Sequence, residues 1–268
     1  MDLLAKIKAK NPLIYNITND VVANFSANGL LAIGASPVMA NALQEAEDFA
    51  KHADAVILNV GTLTKDQAEA MLVAGQTANK KGIPVILDPV AIGVTPFRTN
   101  VIYDILSTID VAAIRGNAGE IAFLSDGSDE VKGTDSLIGE NDPHVAAEVA
   151  QKYQTVVMST GKTDVVTDGH HVTLCRNGSA MLPYITGTGC LLTAVSGAFI
   201  SVAKDVYRAS VKAVAGYGIA AEIAREKAAG SGSFIPAFLD QLYLLEDQTI
   251  ADDSALEEFT LKEKTKHG

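Results

Sequence analysis

Apolar residues along this chain fall into two rhythms. Short runs at Leu13–Thr18, Ala55–Val60, Pro84–Asp88, Val111–Ile114 and Thr155–Ser159 are too brief for core helices and read as strands. Between them lie longer segments with helical spacing, and this alternation predicts a mainly parallel sheet covered by helices on both faces. Several runs end in a polar or acidic residue, at the strand ends where open α/β sheets bind ligands. After Ser159 the rhythm changes. Asp164–Thr167 and His171–Cys175 flank Asp168-Gly169-His170, a strong turn signal, and predict an antiparallel hairpin at the sheet edge. From Thr188 onward helical patterns dominate, at about 189–203, 205–229 and 234–246. The charged end of the chain, from about 248 to 268, is expected to be a tail or surface helix. Ser125–Asp142, acidic and Gly-rich, reads as a surface loop or a mobile flap. With no repeat and no linker, residues 1–268 are expected to form one domain.

Composition narrows the partners. With 268 residues, 48% of them apolar, the chain can bury a large core. A net charge of −11, from 21 basic and 32 acidic residues without a Lys/Arg cluster, argues against nucleic acid or an anionic membrane as the main partner. A phosphate group would then be held by backbone N–H groups at a helix N-terminus rather than by a basic patch. The segment Met1–Lys6 never builds the apolar core of a secretory signal, so export is not expected. The charge-free stretches Val21–Gln44 and Asn177–Ala203 are broken by Asn24, Asn28, Gly34 and Pro37, and by Pro183 and Gly187-Thr188-Gly189, which argues against membrane spans. Two cysteines, Cys175 and Cys190, make no disulfide framework, and a reducing cytoplasm fits.

Three segments carry candidate chemistry. In Thr186-Gly187-Thr188-Gly189-Cys190, two glycines permit a tight turn and the helix that follows points unpaired N–H groups at an oxyanion or phosphoryl group. Taken alone, the same segment also reads as an ordinary loop before a buried helix. Arg115-Gly116-Asn117-Ala118-Gly119-Glu120 follows the strand Val111–Ile114; Asn117 and Glu120 suit a capping box, and Glu120 with Asp88 equally suits support of Mg2+. Asp88-Pro89-Val90-Ala91-Ile92-Gly93 closes another strand with a tight turn. Thr160-Gly161-Lys162-Thr163 lacks the first glycine of a phosphate loop, Val156 standing in its place, and leads into a strand rather than a helix. Gly216-Tyr217-Gly218 lies inside a helical pattern, so a dinucleotide fingerprint is not expected there. No Gly-x-Ser-x-Gly elbow occurs, and the histidines at 52, 144, 170, 171 and 267 have no metal-binding spacing.

In combination and in this order, Thr18-Asn19-Asp20, Gly34-Ala35-Ser36-Pro37-Val38-Met39, Asn59-Val60-Gly61-Thr62, Asp88 to Gly93, Arg115-Gly116-Asn117 with Glu120, Thr160-Gly161-Lys162 and Gly187 to Cys190 resemble the hydroxyethylthiazole kinase family of the ribokinase-like superfamily. The resemblance spans roughly residues 11 to 245. It implies a ribokinase-like three-layer αβα sandwich and ATP-dependent phosphorylation of the hydroxyl of 4-methyl-5-(2-hydroxyethyl)thiazole in thiamine salvage, with Mg2+ present. By the same resemblance Asn19, Met39 and Gly187 contact the thiazole, and Gly187, Gly189 and Cys190 form the catalytic turn. Arg115 and Thr160 contact ATP, Asp88 and Glu120 lie near the metal, and a homotrimer shares its active sites between subunits. Sugar kinases of the superfamily carry an aspartate base where this chain has Cys190. A thiol at a helix N-terminus can accept the hydroxyl proton, or it can simply pack against substrate. Other readings on the same fold are a hydroxymethylpyrimidine kinase, an ADP-dependent NAD(P)H-hydrate dehydratase, or a non-enzymatic thiazole or nucleotide sensor. The segment with Asn19 and Met39 favours thiazole, and Asp88, Glu120 and Gly187 favour an enzyme.

Overall fold

A strand flanked by helices on both faces is apolar along its length, and Ala55–Leu58 and Val85–Leu87 are buried throughout, with the equally buried polar Asn59 and Asp88 closing the strands. The structure, a computed structural model, describes residues 2–127 and 141–261. The first half runs α1 (Leu3–Lys10), β1 (Leu13–Ile17), α2 (Ala23–Ile33), β2 (Ser36–Met39), α3 (Leu43–His52), β3 (Ala55–Asn59), α4 (Lys65–Lys81), β4 (Val85–Asp88) and α5 (Pro96–Thr108). The second continues with β5 (Ala113–Asn117), α6 (Ala118–Asp126), α7 (Pro143–Tyr153), β6 (Val156–Thr160), β7 (Asp164–Thr167) and β8 (His171–Cys175). It closes with α8 (Thr188–Ser201), α9 (Val206–Lys227), α10 (Ser231–Leu244), α11 (Asp247–Asp253) and β9 (Leu256–Thr260).

These strands form one sheet in the order β2-β1-β3-β4-β5-β6-β7-β8-β9. The pairs from β2 to β6 are parallel, and those from β6 to β9 antiparallel. Alternate residues feed two cores. Ala55, Ile57 and Ile86 join α1, α2, α8, α9 and α10 on one face. On the other, Val56, Leu58, Val85 and Leu87 join α3 through α7. Helix α8 is charge-free because it is enclosed: Leu191 through Ile200 are all buried. Gly197 lets it settle on β3, since a Cβ there would stand 2.5 Å from Ile57 Cδ1.

Several expectations change. The charged end is not wholly a tail or helix: α11 is followed by β9, which pairs with β8 and extends the sheet. Hence the β7–β8 hairpin is internal rather than at the edge. Every residue of β9 is exposed, so the strand lacks an apolar signature, and it is held by backbone pairing and by Arg176–Glu257 and Arg208–Glu258 ion pairs, each 2.6 Å. Strand β2 was not among the expected runs; Pro37 fits there because β2 is an edge strand. Arg115, Gly116 and Asn117 continue strand β5 rather than follow it. Of the segment Ser125–Asp142, residues 128–140 lie outside the described residues, while Ser125 and Asp126 close α6.

Gly197→Val is expected to lower stability by about 2 kcal/mol, because overpacking against Ile57 outweighs the small gain in helix propensity. Urea unfolding measures it, and an unchanged midpoint would show that Ile57 simply yields.

Candidate active site

The carboxyl ends of β1, β3, β4, β5 and β6 bring Asn19, Asn59, Asp88, Arg115 and Thr160 toward the N-terminus of α8. Asn59 and Asp88 stand side by side at the ends of paired strands. Buried hydrogen bonds join them. Asn19 Nδ2 donates to Asn59 Oδ1 at 3.0 Å, and Asn59 Nδ2 donates to Asp88 Oδ2 at 2.8 Å. The same Asp88 oxygen accepts from Thr193 Oγ1 of α8 at 2.8 Å, and Asn59 Oδ1 also accepts the Gly61 N–H at 3.1 Å. At the other end, Asn19 Nδ2 lies 3.9 Å from Cys190 Sγ. The helix is thereby tied at Cys190 and Thr193, three positions apart on one face, to the strand ends.

The turn into α8 is built for close approach. Gly187 has φ +90°, and a Cβ there would meet Val22 Cγ1 at 2.5 Å. At Gly189 a Cβ would stand 2.3 Å from Arg115 Nη1, so the guanidinium lies directly against the helix's first turn. Among the described residues no side chain caps α8, which leaves its first amides for a ligand. Tyr217 of α9 donates to the Thr188 carbonyl at 2.6 Å, and Thr188 Oγ1 donates to the Leu182 carbonyl at 3.1 Å, fixing the turn from behind.

Arg115 Nη2 donates to Thr160 Oγ1 at 2.5 Å, while Nη1 is 3.9 Å from Asp88 Oδ1, too far for a hydrogen bond. Asp88 Oδ1 is buried and has no hydrogen-bond partner among the described residues. Both oxygens of Glu120 are engaged: Oε1 accepts the Ala91 N–H and Oε2 the Asn117 N–H, each at 2.8 Å. Asn117 Oδ1 accepts the Glu120 N–H in return, so the capping box exists, and the same carboxylate pins the Asp88–Gly93 turn at Ala91, whose φ is +57°. Each Glu120 oxygen keeps a lone pair for another partner. Among the described residues no group of three His, Cys, Asp or Glu is arranged to hold a metal.

Arg115, Asn117, Thr160, Lys162 and the turn at Thr188 and Gly189 open onto a cleft of about 870 Å³, walled on a further side by Arg176 to Ala180. That is ample for a drug-sized ligand. A separate hollow of about 500 Å³, lined by Asp20, Asn41, Leu43, Thr64 and Gln67, lies at the ends of β1 and β2. Asn19 and Met39 are the sequence neighbours of that hollow's Asp20 and Asn41; Asn19 is buried, and Met39 is half-buried at the end of β2. The structure therefore joins Asn19, Asp88, Arg115, Thr160, Gly187, Gly189 and Cys190 around α8, with Glu120 one turn away and Met39 out at the sheet edge.

A model of the hydroxyethylthiazole kinase family matches residues 4–248 of this chain. The chain belongs to the hydroxyethylthiazole kinase family. It is 58% identical over 250 residues to hydroxyethylthiazole kinase 2 of Oceanobacillus iheyensis, covering 93% of this chain and 96% of that one. It is 50% identical over 242 residues to hydroxyethylthiazole kinase of Listeria monocytogenes, covering 89% and 90%. The solved hydroxyethylthiazole kinase protein of Pyrococcus horikoshii superposes with a TM-score of 0.86 at 39% identity, over 96% of this chain and 97% of that one. A pyridoxal kinase of Staphylococcus aureus in complex with ADP superposes with a TM-score of 0.64 at 14% identity, over 93% and 98%, and shows the shared ribokinase-like fold.

In this family member the electrostatics are set by burial. It pushes Asp88 up to about 6 against the opposing pull of Arg115, and Asp164, beside Thr160 in the cleft wall, likewise to about 6 against the Gly161 N–H. The Cys190 thiol is pushed up to about 11, first by burial and then by the Asp88 charge, which overrides its place in the first turn of a helix. Sequence reasoning assigned no role to Asn59, Thr193 or Asp164. Asn59 was legible as a polar strand end beside Asp88, and Thr193 as the residue one turn beyond Cys190; Asp164 sat in a run read only as hairpin.

Because Asp88 and Asp164 ionise near pH 6 when folded and near 4 when unfolded, the native chain binds more protons between those values. Their contribution therefore lowers stability as pH rises from about 4 to about 6, by at most about 3 kcal/mol each, and is constant above. Asp88→Asn should remove about half of that decline in urea unfolding followed from pH 4 to 7. An identical pH slope in the variant would show that Asp88 keeps its ordinary carboxylate pKa when folded.

Proposed function

We propose that this chain transfers the γ-phosphoryl group of ATP to the hydroxyl of 4-methyl-5-(2-hydroxyethyl)thiazole, a thiamine-salvage reaction in the cytoplasm. The observation that carries the reading is the uncapped start of α8, with the Arg115 guanidinium laid on Gly189 beside a cleft of nucleotide size. Amides and a guanidinium converge there on the position a migrating phosphoryl group requires. A close relative bears the hydroxyethylthiazole kinase name, and a kinase of the same fold holds ADP.

Arg115 and Thr160 bind the phosphates of ATP, their mutual hydrogen bond fixing the guanidinium plane. Asn19, Met39 and Gly187 bind the thiazole alcohol, whose hydroxyl is presented to the amides of Gly187 to Cys190. Asp88 and Glu120 fit a magnesium ion, being hard oxygen donors close enough to influence one another, with Asp88 Oδ1 free of any hydrogen bond. When bound, Mg2+ neutralises charge on the phosphate oxygens. Asn59 and Thr193 hold Asp88 Oδ2, so Oδ1, on the Arg115 side and without a hydrogen bond among the described residues, is the oxygen that would face such an ion.

Cys190 does not act as the base. A thiol ionising near 11 holds its proton at neutral pH, and a loose phosphoryl-transfer transition state asks little proton removal of the enzyme. Its sulfur packs against the acceptor and keeps Asn19 in place. The subunit is further proposed to form a homotrimer with its acceptor site shared: among the described residues β2 is an edge strand of the sheet, and Val21 and Leu31 expose apolar surface on or beside α2.

Two experiments test this. ATP consumption is expected only with the thiazole alcohol, and mass analysis should show its monophosphate; turnover with a hydroxymethylpyrimidine instead, or hydrolysis independent of any alcohol, would sink the assignment. Cys190→Ala is expected to keep measurable turnover, about ten-fold below the parent, and Cys190→Asp to gain from a real base. Loss of all turnover in the alanine variant, with both substrates still bound, would make the thiol a true base.

A further inference from the structure

Gly216-Tyr217-Gly218, inside α9, is only partly used by the proposed reaction, in which Tyr217 supports the Thr188 turn. Gly218 has another task. A Cβ there would stand 2.5 Å from the Asn177 carbonyl oxygen, so the chain after β8 runs directly over the helix. Asn177 is 7% exposed, and together with Arg176 and Gly178 it walls the 870 Å³ cleft.

From behind, this wall is gripped by the end of the chain. Asn177 Oδ1 accepts the Ala255 N–H at 2.7 Å and Nδ2 donates to the Asp253 carbonyl at 3.0 Å. Arg176 donates its N–H to the Ala255 carbonyl at 3.0 Å and its Nη2 to Glu257 at 2.6 Å. From α9, Glu222 accepts the Gly178 N–H at 2.8 Å and faces Asn177 Nδ2 at 3.3 Å. Residues 253 to 257 lie beyond the family-matched positions 4–248. An amide side chain suits this place, because it donates and accepts in one plane; a carboxylate would face Glu222, and an apolar group would leave the Ala255 N–H and the Asp253 carbonyl without these bonds.

We propose that Asn177 is a positioning residue for nucleotide binding, through which the segment Asp253–Glu257 and the carboxylate of Glu222 set the wall of the ATP cleft. The inference rests on the reading of that cleft as the ATP site. An alternative role, simply fastening β9 to the sheet, would leave nucleotide affinity untouched in any variant that folds.

The test uses Asn177→Leu, similar in size without the hydrogen bonds, and Ala255→Pro, which removes the N–H donor at a residue outside the cleft lining. Each should raise the KM for ATP and the calorimetric Kd for ADP about five-fold or more. At saturating ATP, kcat and the KM for the thiazole alcohol should stay within about two-fold of the parent. The double variant should bind ADP no more weakly than Asn177→Leu alone, since the bond that Ala255→Pro removes is already lost in Asn177→Leu. Parental ADP affinity in either variant, once circular dichroism shows it folded, overturns the proposal, as does an equal loss in both substrates' KM. If the ATP reading itself is wrong, the parent chain will neither bind ADP nor consume ATP, which separates the two failures.

Discussion

A carboxylate with no access to water sits where five strand ends meet a helix start, and the arrangement of the site depends on how it is satisfied. Asp88 is fully buried, and an isolated charge there would be expelled or protonated. One of its oxygens is met by Asn59 and Thr193. Those two residues in turn fix neighbouring strands and helix α8, and through Asn19 the network reaches Cys190. Satisfying this one group therefore sets the distance between the amides of α8 and the strand ends. The other oxygen, without a hydrogen bond, gives the network a direction: it is complete on the structural side and incomplete on the side of Arg115.

The same dryness decides the chemistry of Cys190. A helix start favours a thiolate, and proximity to Arg115 does too, yet burial and the Asp88 charge act the other way and dominate. A helix dipole contributes about 1 kcal/mol when exposed, whereas desolvation of a buried thiolate is several times that. At neutral pH the thiol is therefore held protonated beside the Asp88 carboxylate.

Where burial follows periodicity, the fold was legible. The five parallel strands inferred from apolar runs all exist, and the β7–β8 hairpin has the expected bounds, because a doubly covered strand must be apolar and an Asp-Gly turn has few alternatives. The strands that escaped are the two at the edges. Strand β2 contains Pro37, and β9 reads Leu256-Glu257-Glu258-Phe259-Thr260 with no buried side, so tertiary pairing alone makes them strands. In the site, glycines were informative because their cause is local: Gly187 needs a positive φ, and Gly189 makes room for a guanidinium. Asn59 and Thr193 were quiet because an asparagine at a strand end and a threonine in an apolar helix have many uses; only the fold shows that both point at one carboxylate.

The position of β9 gives the antiparallel half of the sheet a use. In the parallel half, strand ends deliver polar side chains to the start of α8, and helices cover both faces. Beyond β6 the chain turns back on itself, and the loop after β8 becomes a wall of the cleft rather than a source of reacting groups. A loop wall has few backbone partners of its own, so its shape must be imposed from outside. Here it lies between Glu222 on a buried helix and the exposed strand β9, whose ion pairs are individually weak and whose backbone bonds are not. The segment leading into this surface strand is thus tied by Asn177 to the edge of the cleft, and its ordering there follows from hydrogen bonds that the wall itself needs.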